Sequence, residues 1–148
     1  MEPLPAAKIL IADDNPQGVE LLEAYLTELE NCEVRTAADG EATLRLVRDW
    51  QPDLLLLDIM MPRISGFEVC KRLRSDPRTR DIAILMVTAL DQPSDIERGV
   101  DAGTDDFLTK PINKLELLLR CRSALKSRHY KRELDRILDY ITRVDAGK

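Results

Sequence analysis

The chain has 148 residues, of which 44% are hydrophobic and 33% are charged, and its formal net charge is −5. This length suffices for one domain with its own hydrophobic core and a short extension, and it excludes two ordinary domains. The apolar runs are far shorter than a membrane span requires, and the acidic balance argues against a general nucleic-acid binder.

Targeting and redox signals are weak. The N-terminal sequence MEPLPAAK has neither the basic start nor the long apolar stretch of a signal peptide, so we expect a cytoplasmic location. The cysteines, Cys32, Cys70 and Cys121, lack the close paired spacing of a zinc site or redox motif and are expected to be reduced.

Five short apolar segments alternate with segments of helical periodicity, which predicts a β-α alternation. The segments are KILIAD from Lys8, CEVRTA from Cys32, DLLLLD from Asp53, IAILMVT from Ile82 and DFLTK from Asp106. The first, third and fourth are apolar on both faces, as in parallel strands covered by helices. We therefore predict an α/β fold with a doubly wound five-stranded parallel sheet in the order 2-1-3-4-5.

Local signals mark the helices between these strands. Asn15 followed by Pro16 predicts the start of the first helix. Ser65 and Glu68 have capping-box spacing at the start of the third, and Gly103 is expected to end the fourth. The apolar stripe of the first helix comprises Val19, Leu22, Leu26 and Leu29.

The last helix is predicted from Lys114 to about Val144, and it carries two apolar stripes that are out of phase. The first stripe, expected to pack on the sheet, comprises Leu115, Leu118, Leu119, Arg122 and Leu125. The second stripe, spaced like a coiled-coil seam, comprises Tyr130, Leu134, Ile137, Ile141 and Val144.

Because of this phase difference, the second stripe is expected to face away from its own domain. We divide the chain into a domain at 1–125 and a helical extension at 126–148. The extension is predicted to pair with a second copy of the chain or to continue into an output domain. A charged, solvated helix with incidental apolar residues is the alternative.

Acidic, hydroxyl and basic side chains stand at the carboxyl ends of the predicted strands. Asp13 and Asp14 follow the first strand, Asp58 the third, Thr88 the fourth and Lys110 the fifth. Parallel strands bring these ends to one rim, where three carboxylates repel each other unless cations are present. Magnesium suits such oxygen ligands. With a phosphoryl substrate, Asp58 would attack, Lys110 would neutralise the transferring oxygens and Thr88 would donate a hydrogen bond.

Four segments carry a family resemblance: ADDN at 12–15, LLLLDIMMPRISGFE at 54–68, VTAL at 87–90 and DDFLTKP at 105–111. Together they resemble the receiver domain of bacterial two-component response regulators, which has a flavodoxin-like fold.

The resemblance implies a ligand and a phosphoacceptor. Asp58 would accept the phosphoryl group, from a phosphohistidine on a sensor histidine kinase or phosphotransfer protein. Asp14 would bind Mg²⁺ directly, Asp13 largely through water, and Met60 through its backbone carbonyl. Such a chain is a signalling module that catalyses only its own phosphorylation and dephosphorylation, and small phosphodonors should also serve.

The resemblance also implies a switch. Lys110 would pair with the phosphoryl group and precede a cis bond to Pro111. Thr88 would be the switch hydroxyl and Phe107 the switch aromatic, which rotates when Thr88 moves towards the phosphoryl group. Phosphorylation would then shift the population of a bistable surface.

Three other functions agree less well with these residues. A degenerate receiver acting as a constitutive scaffold is disfavoured because every acidic and basic group is present. A haloacid-dehalogenase-type phosphatase also uses a strand-end aspartate and magnesium, but it needs a second aspartate two residues later, where this chain has Met60. A dinucleotide-binding domain would need a glycine-rich turn after the first strand.

Overall fold

The computed structural model describes residues 5–89 and 92–147. Its centre is a five-stranded parallel sheet in the order β2-β1-β3-β4-β5, which confirms the predicted fold class and strand order. Leu90 of the VTAL segment and the first four residues lie outside the described residues. The strands are β1 (Ala7–Ala12), β2 (Cys32–Ala37), β3 (Leu54–Asp58), β4 (Ala83–Thr88) and β5 (Asp106–Thr109).

Five helices connect the strands and cover both faces of the sheet. They are α1 (Pro16–Leu26), α2 (Gly40–Trp50), α3 (Gly66–Ser75), α4 (Pro93–Ala102) and α5 (Lys114–Ala146). Side chains of α1 and α5 share one buried cluster with the sheet, and those of α2, α3 and α4 share the other. In the described part of the chain, none of these helices is both long and apolar enough to span a membrane.

The leucine run of β3 explains why this strand is central. Leu54 and Leu56 belong to the cluster under α1 and α5, whereas Leu55 and Leu57 belong to the cluster on the opposite face. All four are fully buried, and burial of each leucine side chain stabilises the fold by about 1.5–3 kcal/mol. The strand that delivers Asp58 is therefore held from both sides.

The start of α1 follows the predicted signal, but its end does not follow the predicted stripe. Asn15 is the N-cap, its side-chain oxygen accepts a hydrogen bond from the Gln17 backbone N–H, and Pro16 is the first helical residue. The helix ends at Leu26, so Leu29 lies beyond it, although Leu29 is still buried under the sheet.

Two further helix signals are confirmed in part or in full. Gly103 ends α4 with a left-handed φ of 102°. Ser65 caps α3 by accepting from the Glu68 N–H at 3.3 Å. Among the described residues, the reciprocal half of the capping box does not form, because the Glu68 carboxylate bonds instead to Arg72 one turn further along.

The predicted inner stripe of α5 is partly wrong. Leu125 is buried and both Leu118 and Arg122 are half-buried, as expected. However, Leu115 and Leu119 are 66% and 57% exposed and do not pack on the sheet.

Leu117 and Cys121 occupy the buried face in their place, both fully enclosed. The first part of α5 has apolar residues on more than one side, so helical periodicity alone did not select the face. Contact with the sheet selects it, because Leu117, Cys121 and Leu125 join the cluster that includes Leu54 and Leu56.

Beyond Leu125, α5 continues into solvent, and three basic residues tie its base to the sheet. Arg132 Nη2 lies 2.8 Å from Asp53 Oδ1, and Arg128 Nε lies 3.4 Å from the same oxygen. Arg128 also donates to the Asp81 carbonyl, and Lys131 Nζ lies 3.0 Å from the Asp81 carboxylate. Both aspartates precede strands at the amino edge of the sheet, so the base of the extension is attached there.

The second stripe of α5 is exposed along its whole length. No described residue of the domain covers it, in agreement with the predicted phase difference. Its members are Tyr130, Leu134, Ile137, Ile141 and Val144.

Candidate functional site

Three carboxylates meet at the carboxyl edge of the sheet, as predicted. Asp58 ends β3, and Asp13 and Asp14 directly follow β1, which pairs with β3 up to Ala12 and Leu57. One oxygen from each of Asp13, Asp14 and Asp58 lies within 4.8 Å of the others. Asp13 and Asp58 are buried and Asp14 is exposed, so the cluster opens to solvent on one side.

Lys110 supplies positive charge to this cluster. Its Nζ lies 3.3 Å from Asp13 Oδ2 and 3.4 Å from Asp58 Oδ2. Its backbone N–H donates to the Thr88 carbonyl at 2.8 Å, which extends the pairing of β5 with β4 by one step. The bond from Lys110 to Pro111 is cis, as the resemblance implied.

Backbone N–H groups orient the two buried carboxylates. The Asn15 N–H donates to Asp13 Oδ1 at 2.9 Å, and the Met60 N–H donates to Asp58 Oδ1 at 3.2 Å. In each case the second oxygen, Oδ2, is the one that faces Lys110. The Met60 side chain is exposed, so the contribution of this residue to the site comes from its backbone.

The electrostatics of Asp58 reflect its burial and its neighbours. Burial raises the pKa of Asp58 to about 6, Lys110 opposes this rise, and the Asp13 carboxylate adds to it. Burial alone would lower the pKa of Lys110, but Asp58 and Asp13 outweigh it and raise that pKa above its ordinary value. Three carboxyl groups thus converge on a single lysine side chain.

Gly66 is a site residue whose role was missed in the sequence. A Cβ at this position would lie 2.3 Å from the Asp58 carbonyl oxygen and 2.8 Å from the Ile59 Cα. The Gly66 N–H also donates to the Ile59 carbonyl at 2.9 Å. Only a residue without a side chain lets α3 start this close to the end of β3. The glycine directly after the Ser65 cap was the available signal.

Thr88 and Phe107 lie on the sheet face that α3 and α4 cover. Thr88 ends β4 and is buried. Met86, two residues earlier, pairs in register with Phe107 of β5, and both belong to the cluster on that face. Side chains two residues apart on a strand share a face, so Thr88, Met86 and Phe107 form one row below α4. Thr88 is at the rim, whereas Phe107 is set back from the acidic cluster.

The donor set fits magnesium. Within the described residues, the Asp13, Asp14 and Asp58 cluster is the one group of three or more acidic, histidine or cysteine side chains that converges closely enough for a metal ion. All of its donors are hard carboxylate oxygens, and one side is open to water, as Mg²⁺ prefers. The cysteines are elsewhere and all free.

Comparison with known proteins agrees with this geometry. The family model described as the response regulator receiver domain matches residues 9–122. The response regulator PleD of Caulobacter vibrioides is 48% identical over 118 residues, which are 80% of this chain and 26% of PleD. The chain thus spans about a quarter of that relative.

Two solved structures share the fold. A response regulator from Chloroflexus aurantiacus has a TM-score of 0.77 at 38% identity, over 84% of this chain and 99% of that one. The receiver domain of a sensor histidine kinase from Pseudomonas aeruginosa, solved with magnesium in its active-site cleft, has a TM-score of 0.75 at 28% identity, over 82% and 99%.

The family match covers well over half of the chain and contains the three strand ends that bear Asp13, Asp58 and Lys110. Receiver domains are signalling domains rather than classical enzymes, and they interact with histidine kinases or phosphotransfer proteins. This chain belongs to the family of response regulator receiver domains.

Proposed function

We propose that Asp58 accepts a phosphoryl group from a phosphohistidine of a sensor histidine kinase or phosphotransfer protein. One observation carries the proposal: Lys110 Nζ lies between the buried Asp13 and Asp58 oxygens in a cluster that lacks enough positive charge. Phosphoryl transfer needs a nucleophile and positive charge on one side. Asp58 and Lys110 supply these here, and the remaining carboxylates suit a metal cation.

The chemistry follows from the residues in place. An Asp58 oxygen attacks phosphorus, the O–P bond forms, and the P–N bond breaks with its electron pair left on the histidine nitrogen. A pKa of about 6 leaves Asp58 ionised at neutral pH, so the nucleophile needs no further base. Lys110 neutralises charge on the transferring oxygens, and the Thr88 hydroxyl donates a hydrogen bond to one of them.

Magnesium belongs to the same proposal. The residues that would hold it are Asp13, Asp14, Asp58 and the backbone carbonyl of Met60. When bound, the ion supplies charge neutralisation at the phosphoryl oxygens. The related kinase receiver domain from Pseudomonas aeruginosa coordinates magnesium in its cleft, which supports this assignment. A cytoplasmic location, where a kinase could reach Asp58, stays a prediction.

The alternatives lose support. The haloacid-dehalogenase-type phosphatase needs a carboxylate two residues after the nucleophile, and Met60 offers only an exposed thioether there. A degenerate scaffold would not need the buried Asp13 and Asp58 to be kept next to Lys110.

The proposal is tested by measuring whether Asp58 accepts a phosphoryl group from a small donor. The full chain is incubated with acetyl phosphate and Mg²⁺, and the intact masses of wild type, Asp58→Asn and Asp81→Asn are compared. Wild type and the Asp81→Asn control, changed at the opposite edge of the sheet, should each gain one phosphoryl group, and Asp58→Asn none. No gain in wild type, or an equal gain in Asp58→Asn, would contradict the proposal.

The output is proposed to pass through the extension. The exposed stripe of α5 has a 4-3-4-3 spacing and belongs to a helix whose base is tied to the sheet by Arg128 and Arg132. Two such stripes from two copies would bury each other as a coiled-coil seam. Continuation into an output domain is compatible with the same helix.

Sedimentation of the full chain with and without beryllofluoride tests the dimer. Leu134→Ala combined with Ile141→Ala should weaken association, and Arg136→Ala combined with Asp139→Ala, on other faces of the helix, should not. A monomer under every condition would contradict dimerisation and leave the acceptor chemistry of Asp58 untouched.

A further inference from the structure

Gly99 is an unexpected residue at its position in α4. It is buried, it lies in the interior of the helix, and glycine there costs about 1 kcal/mol of helix stability relative to alanine. A glycine that is neither at a turn nor at a positive φ needs a reason in its surroundings. In this structure, the reason is the aromatic ring of Phe107, which lies directly against Gly99.

The Phe107 ring occupies the space that a side chain at 99 would need. A Cβ built on Gly99 would lie 2.4 Å from Phe107 Cζ, 2.6 Å from its Cε1 and 3.2 Å from Met86 Sδ. The two ring distances are well below any real carbon contact. The position of the ring in this structure is therefore compatible only with a residue 99 that has no side chain.

The surroundings of α4 oppose a retreat of the helix. The Gly103 carbonyl, at the end of α4, accepts from Arg74 Nε at 2.8 Å, and the Ala102 carbonyl accepts from Cys70 Sγ at 3.2 Å. The Arg98 guanidinium lies 4.3 Å from the centre of the Phe67 ring of α3. With the helix tied to α3 on both sides of residue 99, the group that can yield to a new Cβ is the Phe107 ring.

We propose that Gly99 is a positioning residue of the switch: its missing side chain forms the seat that holds the Phe107 ring in the resting state. This inference rests on the proposed phosphorylation of Asp58. When Thr88 moves towards the phosphoryl group, space opens in the row of Thr88, Met86 and Phe107, and the ring leaves the seat to fill it.

The proposal has a thermodynamic consequence. A side chain at 99 destabilises the seated ring and so raises the population of the other arrangement before any phosphoryl group binds. A phosphoryl mimic that prefers this second arrangement must then bind more tightly, because coupling between two sites is reciprocal. Gly99→Ala is therefore expected to increase affinity at a site it does not touch.

The experiment uses the full chain with ¹³C-labelled phenylalanine. The chain has only two phenylalanines, so Phe107→Leu assigns the ring signals directly. In wild type, beryllofluoride with Mg²⁺ should move the Phe107 signals. In Gly99→Ala without ligand, they should move in the same direction, and beryllofluoride should bind roughly five-fold or more tightly. Asp101→Ala, on the exposed side of α4, should change neither.

A double-mutant cycle separates the seat from a general loosening of α4. In a Phe107→Leu background no ring atom meets the new Cβ, so adding Gly99→Ala should leave the beryllofluoride affinity unchanged and raise the melting temperature. If Gly99→Ala alone does not fold, restored folding in the double variant gives the same support. A double variant that is no better folded than Gly99→Ala alone overturns the proposal.

Other outcomes distinguish the two levels of inference. Phosphoryl gain in wild type with unmoved Phe107 signals, or an unchanged or weaker beryllofluoride affinity in Gly99→Ala, overturns the role of Gly99 and leaves Asp58 as acceptor. A wild type that neither gains a phosphoryl group nor binds beryllofluoride overturns the proposed function first.

Discussion

Aspartates stand at both edges of the sheet, and the two edges differ in how these carboxylates are compensated. At the amino edge, Asp53 accepts from the Lys8 N–H and faces Arg128 and Arg132. At the same edge, Asp105 accepts from the Ile84 N–H and from Arg74.

At the carboxyl edge, by contrast, both Asp13 and Asp58 form their ion pairs with Lys110 in the described part of the chain. The amino edge thus uses arginine to satisfy its carboxylates and hold elements together. The carboxyl edge brings three carboxylates together with one lysine, and the proposed magnesium ion would compensate this imbalance. The same residue type is structural at one edge and, in the proposed function, chemical at the other, because its partners differ.

Removing the cations at the amino edge should have the largest effect on stability. Arg128→Ala combined with Arg132→Ala leaves the nearly buried Asp53 without its ion pairs, and we expect a loss of roughly 2–4 kcal/mol of unfolding free energy. Urea unfolding measures it. Arg45→Ala with Arg48→Ala, two exposed arginines of α2, is the control, and adding Asp53→Asn should recover part of the loss. A loss equal to that of the control would show that Asp53 needs no compensation.

Neutralising a carboxylate at the carboxyl edge should instead increase the free energy of unfolding. Without Mg²⁺ and with a chelator, Asp58→Asn is expected to stabilise the protein by about 1–2 kcal/mol at neutral pH. The folded pKa of Asp58 is raised from 3.8 to about 6, so stability falls as pH rises through this interval and stays lower above it.

Melting curves between pH 4 and 7 should therefore show that the gain from Asp58→Asn grows with pH and is small at pH 4. Asp14→Asn is the matched control, since its exposed carboxylate carries a smaller penalty. If wild type were more stable than Asp58→Asn at every pH, this edge would have no excess of negative charge to relieve.

Magnesium should compensate the same edge. At ten times its dissociation constant, a ligand specific for the folded state adds about 1.4 kcal/mol. We expect Mg²⁺ to raise the melting temperature of wild type accordingly, and Asp14→Ala to remove most of this rise. An equal rise in Asp14→Ala would place the ion elsewhere.

The smallest effect is expected at an exposed pair of the amino edge. Lys131 and Asp81 are both more than half exposed, and such pairs contribute less than about 1 kcal/mol. Lys131→Ala should therefore unfold in urea almost as wild type does. A loss comparable to that of the arginine pair would mean that exposure does not decide the strength of these contacts.

Much of this architecture was predictable from the sequence. Five apolar segments, three of them apolar on both faces, predicted the strands. Because the ends of parallel strands share a rim, the sequence also predicted that Asp13, Asp58 and Lys110 lie together. The inner face of α5 was not predictable in full, because Leu115 and Leu119 look as apolar as Leu117 and only the sheet distinguishes them.

The close approaches were also hidden. Gly66 and Gly99 are needed because of atoms distant in sequence or on another element, the Asp58 carbonyl and the Phe107 ring. The local sequence around either glycine does not indicate which distant atoms lie against it. The arginines that meet Asp53 lie more than seventy residues further along the chain, and pairings of this kind emerge only from the tertiary fold.

The attachment of α5 at Arg128 and Arg132 also fixes the direction in which each later side chain of the helix points. An α-helix turns by about 100° and advances by about 1.5 Å per residue, so the direction of every later side chain is counted from these two arginines. One residue inserted after Arg132 would rotate Leu134 and Ile141 by about 100° around the helix axis, whereas seven would return them almost to their original direction. The number of residues between the attachment point and the exposed stripe thus determines the direction of the stripe, whichever residues they are.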